Sequence, residues 1–261
     1  MKGDIQLTKA KKPYGTVLLK AVKILDLLSQ RSEAVSMTDI AKYTEITLST
    51  TSKILDTLLL VGLVSRNEET RNFTLGPRLL QFANASLIQF EVARETFTPL
   101  KHLHEEVGTT VNLGKLDNYE VLYINKFTDI ESSKKVTSRI GISQPLYCTA
   151  MGKAILADFS EAEFNEYLEE VEFKKVTEQT ITSKEELIRE IEATRARGYG
   201  IDDAEAEANV YCIGTTVQIA DQNSRFAFSI SIQKDEFSEE RLAFLVDEME
   251  KSKNVLEYQL R

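Results

Sequence analysis

Residues 47–64 read TLSTTSKILDTLLLVGLV, and the N-terminal third of the chain falls into place around them. Ile54, Leu55, Leu58 and Leu59 recur at helical spacing and make one apolar stripe, so an amphipathic helix is expected. Gly62 supplies the left-handed position at which such a helix stops. Downstream, LVSR, the polar turn NEET and RNFTL describe a β-hairpin over 63–75. Upstream, Ser36 stands three residues before Asp39, a carboxylate version of a capping box, and opens a short helix over 37–43. Leu18, Val22, Ile24, Leu25 and Leu28 mark a first helix over 17–29. Helix, short helix, turn, longer helix and hairpin in one run is the order of a winged helix-turn-helix, assigned to 17–76.

Residues 77–107 return to a helical pattern through Leu79, Leu80, Phe82, Ala83, Leu87, Leu100 and Leu103. They read as a helical linker, broken near Phe90 and at Pro99. From 108 to 261 strands alternate with helices. TTVNLGKL and EVLYINKF flank a turn at 117–119, and KKVTSRIGI, YGIDDA, VYCIGTTVQIA and RFAFSISIQ supply four further strands. Helices are expected at 149–157, at 161–170 behind Ser160 and Glu163, and at 184–197 between Ser183 and Gly198. Ser238 starts a last one, carried by Leu242, Leu245, Val246 and Met249. The expected fold class is α+β, with a winged helix-turn-helix, a helical linker and an antiparallel six-stranded sheet bearing helices on its faces.

The chain has 261 residues, with 42% hydrophobic and 28% charged, ordinary values for a soluble globular protein. No run approaches the roughly 18 apolar residues of a membrane span. Residues 1–16 have basic character but no apolar stretch behind it, so they read as a flexible basic arm rather than a secretory signal. Two cysteines, Cys148 and Cys212, give no disulfide framework or metal-ligand spacing and fit a reducing, cytoplasmic compartment. The net charge of −9 is unevenly divided. Residues 1–80 carry 12 basic against 8 acidic side chains, a balance of +4, which leaves −13 on the remainder. A DNA-facing module on an acidic partner domain explains this, because phosphate neutralisation is local. Chance variation with a basic tail explains it too.

In a helix-turn-helix the second helix of the motif enters the major groove and its first residues reach base edges. Those residues are Thr47, Ser49, Thr50 and Ser52, with Lys53 the only cation. Short hydroxyls permit close approach and bond to phosphates or bases, although serine and threonine at a helix start are also simply caps. Thr38 in the preceding helix joins the candidates. Arg66, Asn67, Arg71 and Asn72 flank the wing turn, within reach of the DNA backbone or minor groove, with Glu68 and Glu69 opposing them at its tip. So weakly basic a surface favours a dimer on two half-sites. In the C-terminal part, Asp202, Cys212, Ser229 and Ser231 lie on or beside expected strands, and alternation puts the two serines on one face. With the backbone amides of TAMGKA (149–154) they can line a polar-ended pocket for a carboxylate or keto oxygen. An ordinary buried cysteine with strand-edge serines accounts for the same pattern. A hydrolase needs a nucleophile with a base beside it, yet His102 and His104 are the only histidines and point to different faces of one expected helix. No HExxH, GxxxxGK[ST] or GxGxxG motif occurs, so neither catalysis nor a cofactor is expected.

Six stretches in order carry a family resemblance: STTSKILDTL (49–58) with GLV, FTLGPRLL (73–80), PLYCTAMGKAILA (145–157), RARGYGIDDAE (195–205), VYCIGTTV (210–217) and FSISI (228–232). Over 17–255 the chain resembles the IclR family of bacterial transcription regulators. The resemblance implies a winged-helix domain, a helical linker and a GAF-like domain that binds a small effector. It also implies double-stranded DNA with a palindromic operator as partner, a homodimer or dimer of dimers, and repression of a catabolic operon in response to an organic acid. Residue by residue, the effector site it implies comprises Ala150, Met151, Gly152, Asp202, Val210, Cys212, Ser229 and Ser231. Departures from the family pattern are Leu48 and Ser52 near the recognition-helix start, Ala204 in the acidic pair, Asn209 where glycine is common and Gln144 where apolar residues are usual. An alternative remains, an effector-binding or enzymatic protein whose helix-turn-helix serves protein contacts.

Overall fold

Three N-terminal helices form because each has a stripe to bury and a signal at its ends. In the computed structural model, which describes residues 14–88, 91–129, 138–219 and 224–260, they are α1 (Thr16–Ser29), α2 (Met37–Thr44) and α3 (Leu48–Leu60). Ser36 caps α2 by accepting from the Asp39 amide at 3.1 Å, as the sequence spacing suggests. The turn into α3 passes through Glu45 in the left-handed region at φ 59°, and α3 gives way at Gly62, φ 74°. Ile24, Leu28, Ile40, Ile46, Ile54, Leu55 and Leu58 meet in one core, completed by Val64 and Phe73. These last two lie on β1 (Val64–Arg66) and β2 (Phe73–Leu75), an antiparallel ribbon to which Val35 adds one bridge. Helix α4 (Arg78–Ile88) follows, its Arg78 donating to the Val61 carbonyl at 2.9 Å.

The chain divides into two compact units, residues 1–89 and 90–261. The second begins with α5 (Glu91–Glu95) and α6 (Phe97–Val107). The expected break at Pro99 falls just upstream of it, where α5 ends at Glu95 and α6 opens at Phe97. Pro99 lies in the first turn of α6, where a missing N–H costs no intrahelical bond. The expected break near Phe90 falls outside the described residues. Strands β3 (Thr110–Asp117), β4 (Glu120–Phe127), β5 (Ser143–Pro145), β6 (Gly200–Asp203), β7 (Val210–Val217) and β8 (Phe226–Gln233) form one antiparallel sheet in the order β5-β4-β3-β8-β7-β6. The strand expected over 134–142 is displaced. Residues 134–137 lie outside the described residues, Gly141 turns at φ 86°, and pairing starts at Ser143.

The two faces of this sheet are filled differently. One face buries Val111, Leu113, Ile213, Phe228 and Ile230 against Leu100, Leu103 and Val107 of α6 and Leu245, Met249 and Leu256 of α10 (Glu239–Gln259). Each such side chain contributes about 1.5–3 kcal/mol on leaving water. The other face receives α7 (Ala150–Ala157), α8 (Glu161–Glu170) and α9 (Lys184–Arg197). Ser160 and Glu163 close a full capping box on α8, and Gly198 ends α9 at φ 85°.

Candidate functional site

The recognition-helix candidates line up on the side of α3 away from its core. Thr47, Ser49 and Lys53 are exposed, Thr50 and Ser52 half-buried, while Thr51 between them is buried. Thr47 donates to the Thr50 hydroxyl at 2.9 Å, and Thr38 is exposed on α2 beside the Ser36 hydroxyl. Asp56, not among the residues expected here, is exposed one turn beyond Lys53 and places a negative charge on the same face. The wing residues separate into two groups. Arg66 is half-buried over the Phe73 ring at 5.5 Å within the hairpin, and Asn72 donates to the Ala34 carbonyl at 3.4 Å, tying the hairpin to the segment before α2. Arg71 stays exposed at φ 60° on a loop held by the Asn67 side chain, which accepts from the Glu69 and Thr70 amides at 2.9 and 2.8 Å.

On the α7 side of the large sheet, register brings polar side chains into two adjacent rows. Directly paired residues share a face. One row runs Lys126, Asn112, Ser229, Gly214, Gly200 and the next Thr110, Ser231, Cys212, Asp202. The Asn112 amide reaches both Ser229 and Ser231 hydroxyls at 3.4 Å, and Cys212 Sγ lies 3.1 Å from the Ser231 hydroxyl. Asn112, Ser229, Ser231 and Asp202 are all at most 4% exposed. Val210 sits one step further along β7 on the same face. Helix α7 covers the end of the rows where the sheet has no side chains. A Cβ on Gly214 would lie 2.8 Å from the Met151 nitrogen, and one on Gly200 would strike the Ala150 carbonyl. Ala150 and Met151 therefore lie over the strand paired with Ser229. The Gly152 amide is taken up at 3.0 Å by the Thr149 hydroxyl that caps α7.

Asn112, Lys126 and Tyr123 were not among the sequence candidates. Asn112 was legible, since it is the one polar residue in the buried run Val111-Asn112-Leu113. Lys126 was not. A β-bulge at Ile124 shifts the register, so that Tyr123 pairs with Gly114 and Asn125 with Leu113. The bulge reverses the alternation, turning Lys126 onto the polar face and Phe127 into the opposite core.

Two profiles describe the chain's relatives: "IclR helix-turn-helix domain" matches residues 17–68 and "Bacterial transcriptional regulator IclR C-terminal" matches 84–256. The chain belongs to the IclR family of bacterial transcriptional regulators. It is 33% identical to the HTH-type transcriptional regulator KdgR of Escherichia coli over 86% of this chain and 85% of that one. The crystal structure of Thermotoga maritima IclR superposes with TM-score 0.76 at 31% identity, covering 95% and 99% of the two chains. An IclR homologue from Microbacterium hydrocarbonoxydans, complexed with 4-hydroxybenzoate, shares the fold at 20% identity (TM-score 0.77, covering 94% and 99%). This IclR protein is thus a DNA-binding transcriptional regulator with an effector-binding C-terminal domain. Among the described residues no helix is long and apolar enough to cross a membrane, and no cluster of His, Cys, Asp or Glu could hold a metal ion.

Charged groups in this IclR effector domain are buried at a second place. Lys153 of α7, 1% exposed, donates to the Ile201 carbonyl at 2.7 Å and to Glu205 at 2.5 Å. Glu190 stands 3.8 Å away and is itself held by Arg197. A cleft of about 470 Å³ opens beside this network, lined by Gln179, Glu186, Arg189, Glu190, Asp203 and Glu205. None of the sequence-predicted effector residues lines it.

Asp202 links the network to the polar rows. Its carboxylate accepts from the Glu205 amide at 2.7 Å and the Ala206 amide at 3.3 Å, organising a loop that turns left-handed at Ala204 and Asn209. Burial, against the relief these amides give, pushes its pKa up to about 7. Between its ordinary value near 4 and about 7, the folded protein holds a proton that the unfolded chain has released. This group's contribution is therefore full below that window and is lost as pH rises through it. Asp202→Asn keeps the acceptor and cannot titrate. Urea unfolding across this range is expected to show stability falling with pH more steeply in the wild type than in the variant; parallel curves would contradict the burial argument.

Proposed function

We propose that the protein is a cytoplasmic repressor of a catabolic operon, which it controls as a dimer, or a dimer of dimers, on a palindromic operator. The signal is a small organic acid seated on the polar rows of the large sheet. The observation that carries this reading is the row itself. Asn112, Ser229, Ser231 and Cys212 occupy a sheet face where folding alone calls for apolar side chains, and buried polar groups are costly unless partnered. Their mutual bonds are long, two at 3.4 Å, so a ligand oxygen improves on them. Ala150, Met151, Gly152, Val210 and Asp202 frame the same seat. A relative of this fold holds 4-hydroxybenzoate, itself a carboxylate.

Thr38, Thr47, Ser49, Thr50, Ser52 and Lys53 form the major-groove face, and Arg71 reaches the backbone from the wing, with Arg66 and Asn72 shaping that wing. So few cations, opposed by Asp56, Glu68 and Glu69, leave one module a weak binder, and a two-fold arrangement doubles the contacts. An effector controls such a complex only by binding the DNA-competent and incompetent arrangements unequally.

The test uses the DNA upstream of the protein's own gene in a gel-shift salt series. Replacing Lys53 and Arg71 with alanine is expected to weaken binding and to lower the slope of log K against log salt by about 0.9 for each phosphate that is no longer neutralised. An unchanged slope would remove these residues from the interface. Ser229→Ala is expected to keep ligand-free DNA binding while losing release by an added organic acid; a normal release response would remove the polar rows from effector binding.

A further inference from the structure

The recognition helix is short of the side chains that read bases most sharply. Guanine and adenine are read best by the paired contacts of Arg, Lys, Asn or Gln. Helix α3, LSTTSKILDTLLL, offers only Lys53 from that set. Its hydroxyls make single contacts, and Thr47 already donates to Thr50 at 2.9 Å. What remains is apolar contact. In the major groove the base edge that presents an apolar group is thymine, through its C5-methyl.

Leu48 is placed for that contact. It is the first residue of α3 and 46% exposed, and it stands outside the core that Ile54, Leu55 and Leu58 enter further along. Helical side chains tilt toward the N-terminus, so that of Leu48 leans ahead of the first turn, where such helices meet base edges. The short side chains of Thr47, Ser49 and Ser52 around it permit close approach. Between the start of α2 and the end of α3, two other large apolar side chains are exposed, Tyr43 and Leu60. Leu60 closes α3, away from the end that enters the groove, and Tyr43 carries the Arg31 guanidinium over its ring at 4.9 Å. A lone exposed leucine means little on an ordinary surface. Here it leads the recognition helix of a chain whose residues 17–68 match a helix-turn-helix domain.

We infer that Leu48 is a specificity-determining residue of the DNA interface, reading one thymine in each half-site by packing against its C5-methyl. The contact buries apolar surface and neutralises no phosphate, so it sets sequence preference and leaves the salt dependence of binding alone.

This inference rests on the DNA face proposed above, and its test separates the two. Binding sites are selected from random duplexes with the full wild-type chain. Each thymine of the selected site is then replaced by deoxyuridine, which removes only the methyl. One thymine per half-site is expected to respond, with binding about fourfold weaker for one replacement and about tenfold or more for both. Leu48→Ala is expected to bind the thymine and deoxyuridine sites equally, with an unchanged slope of log K against log salt. Leu48→Met keeps an apolar side chain and is expected to restore the preference for thymine. Both changes fall at an exposed position, where substitutions disturb folding little. If no thymine responds, or if Leu48→Ala responds as strongly as the wild type, the assignment to Leu48 is refuted. A salt slope lowered by the Lys53 and Arg71 substitutions would then show that the DNA face stands without it. If that slope is also unchanged, face and assignment fall together.

Discussion

Gly152→Ala is expected to destabilise the effector domain by at least about 3 kcal/mol, at the upper end of overpacking costs. The added methyl would sit 2.6 Å from the Thr149 hydroxyl and closer still to the Leu146 carbonyl and Cα. Two of these neighbours are backbone, in the 3-10 turn Leu146–Cys148, whose side chains are fully packed. The turn cannot retreat. Nor can α7 rise from the turn without lifting Ala150 and Met151 off Gly200 and Gly214, where backbone lies on backbone. Close-packed interiors have little free volume to absorb such a shift. Urea unfolding of the full chain should show the second unit melting early, while the helix-turn-helix unit keeps its transition. A loss below about 1 kcal/mol would show that the turn yields more readily than its packing suggests.

The second large effect concerns Lys153. Lys153→Met leaves the Glu205 carboxylate 7% exposed, with Oε1 stripped of its ammonium and Oε2 already without a hydrogen-bond partner. Breaking a buried ion pair from one side costs about 3–5 kcal/mol, because the remaining charge is unpaired. Burial already raises the Glu205 pKa, and in the variant the opposing influence of Lys153 is gone. The lone carboxyl takes up a proton more readily, so the loss is smaller at pH 5 than at pH 8. The double variant Lys153→Met/Glu205→Leu is expected to recover most of the stability. Chemical denaturation of the single and double variants at both pH values checks this; a single variant as stable as the double would mean that Glu190 and Arg197 carry the network.

Much of the fold was legible because its signals are local. The Ser36, Ser160 and Ser183 caps and the stops at Gly62 and Gly198 all lie where the spacing put them. Asn209 adopts the left-handed conformation that glycine would supply. Pro99 marks a real interruption, with α5 ending at Glu95 and the proline seated in the first turn of α6. Candidate site residues on regularly alternating strands, Cys212, Ser229 and Ser231, could be assigned to a face from sequence. Lys126 could not, because period-two counting carried across Ile124 assigns it to the wrong side. The close seating of α7 on Gly200 and Gly214 was hidden for a different reason. It joins segments far apart in sequence, and nothing in either segment names the other.

The wing carries a consequence for kinetics as well as affinity. A loop tip is where ordering on contact would normally slow and weaken an encounter. Here Asn67 holds the turn by two amide bonds, and Arg71 is fixed at a backbone angle that few side chains adopt. The freedom that a floppy tip would surrender at the DNA has already been given up in folding. On the DNA face proposed above, an encounter with a duplex therefore meets a preset loop backbone carrying Arg71, and sequences can be sampled and released without refolding the tip each time.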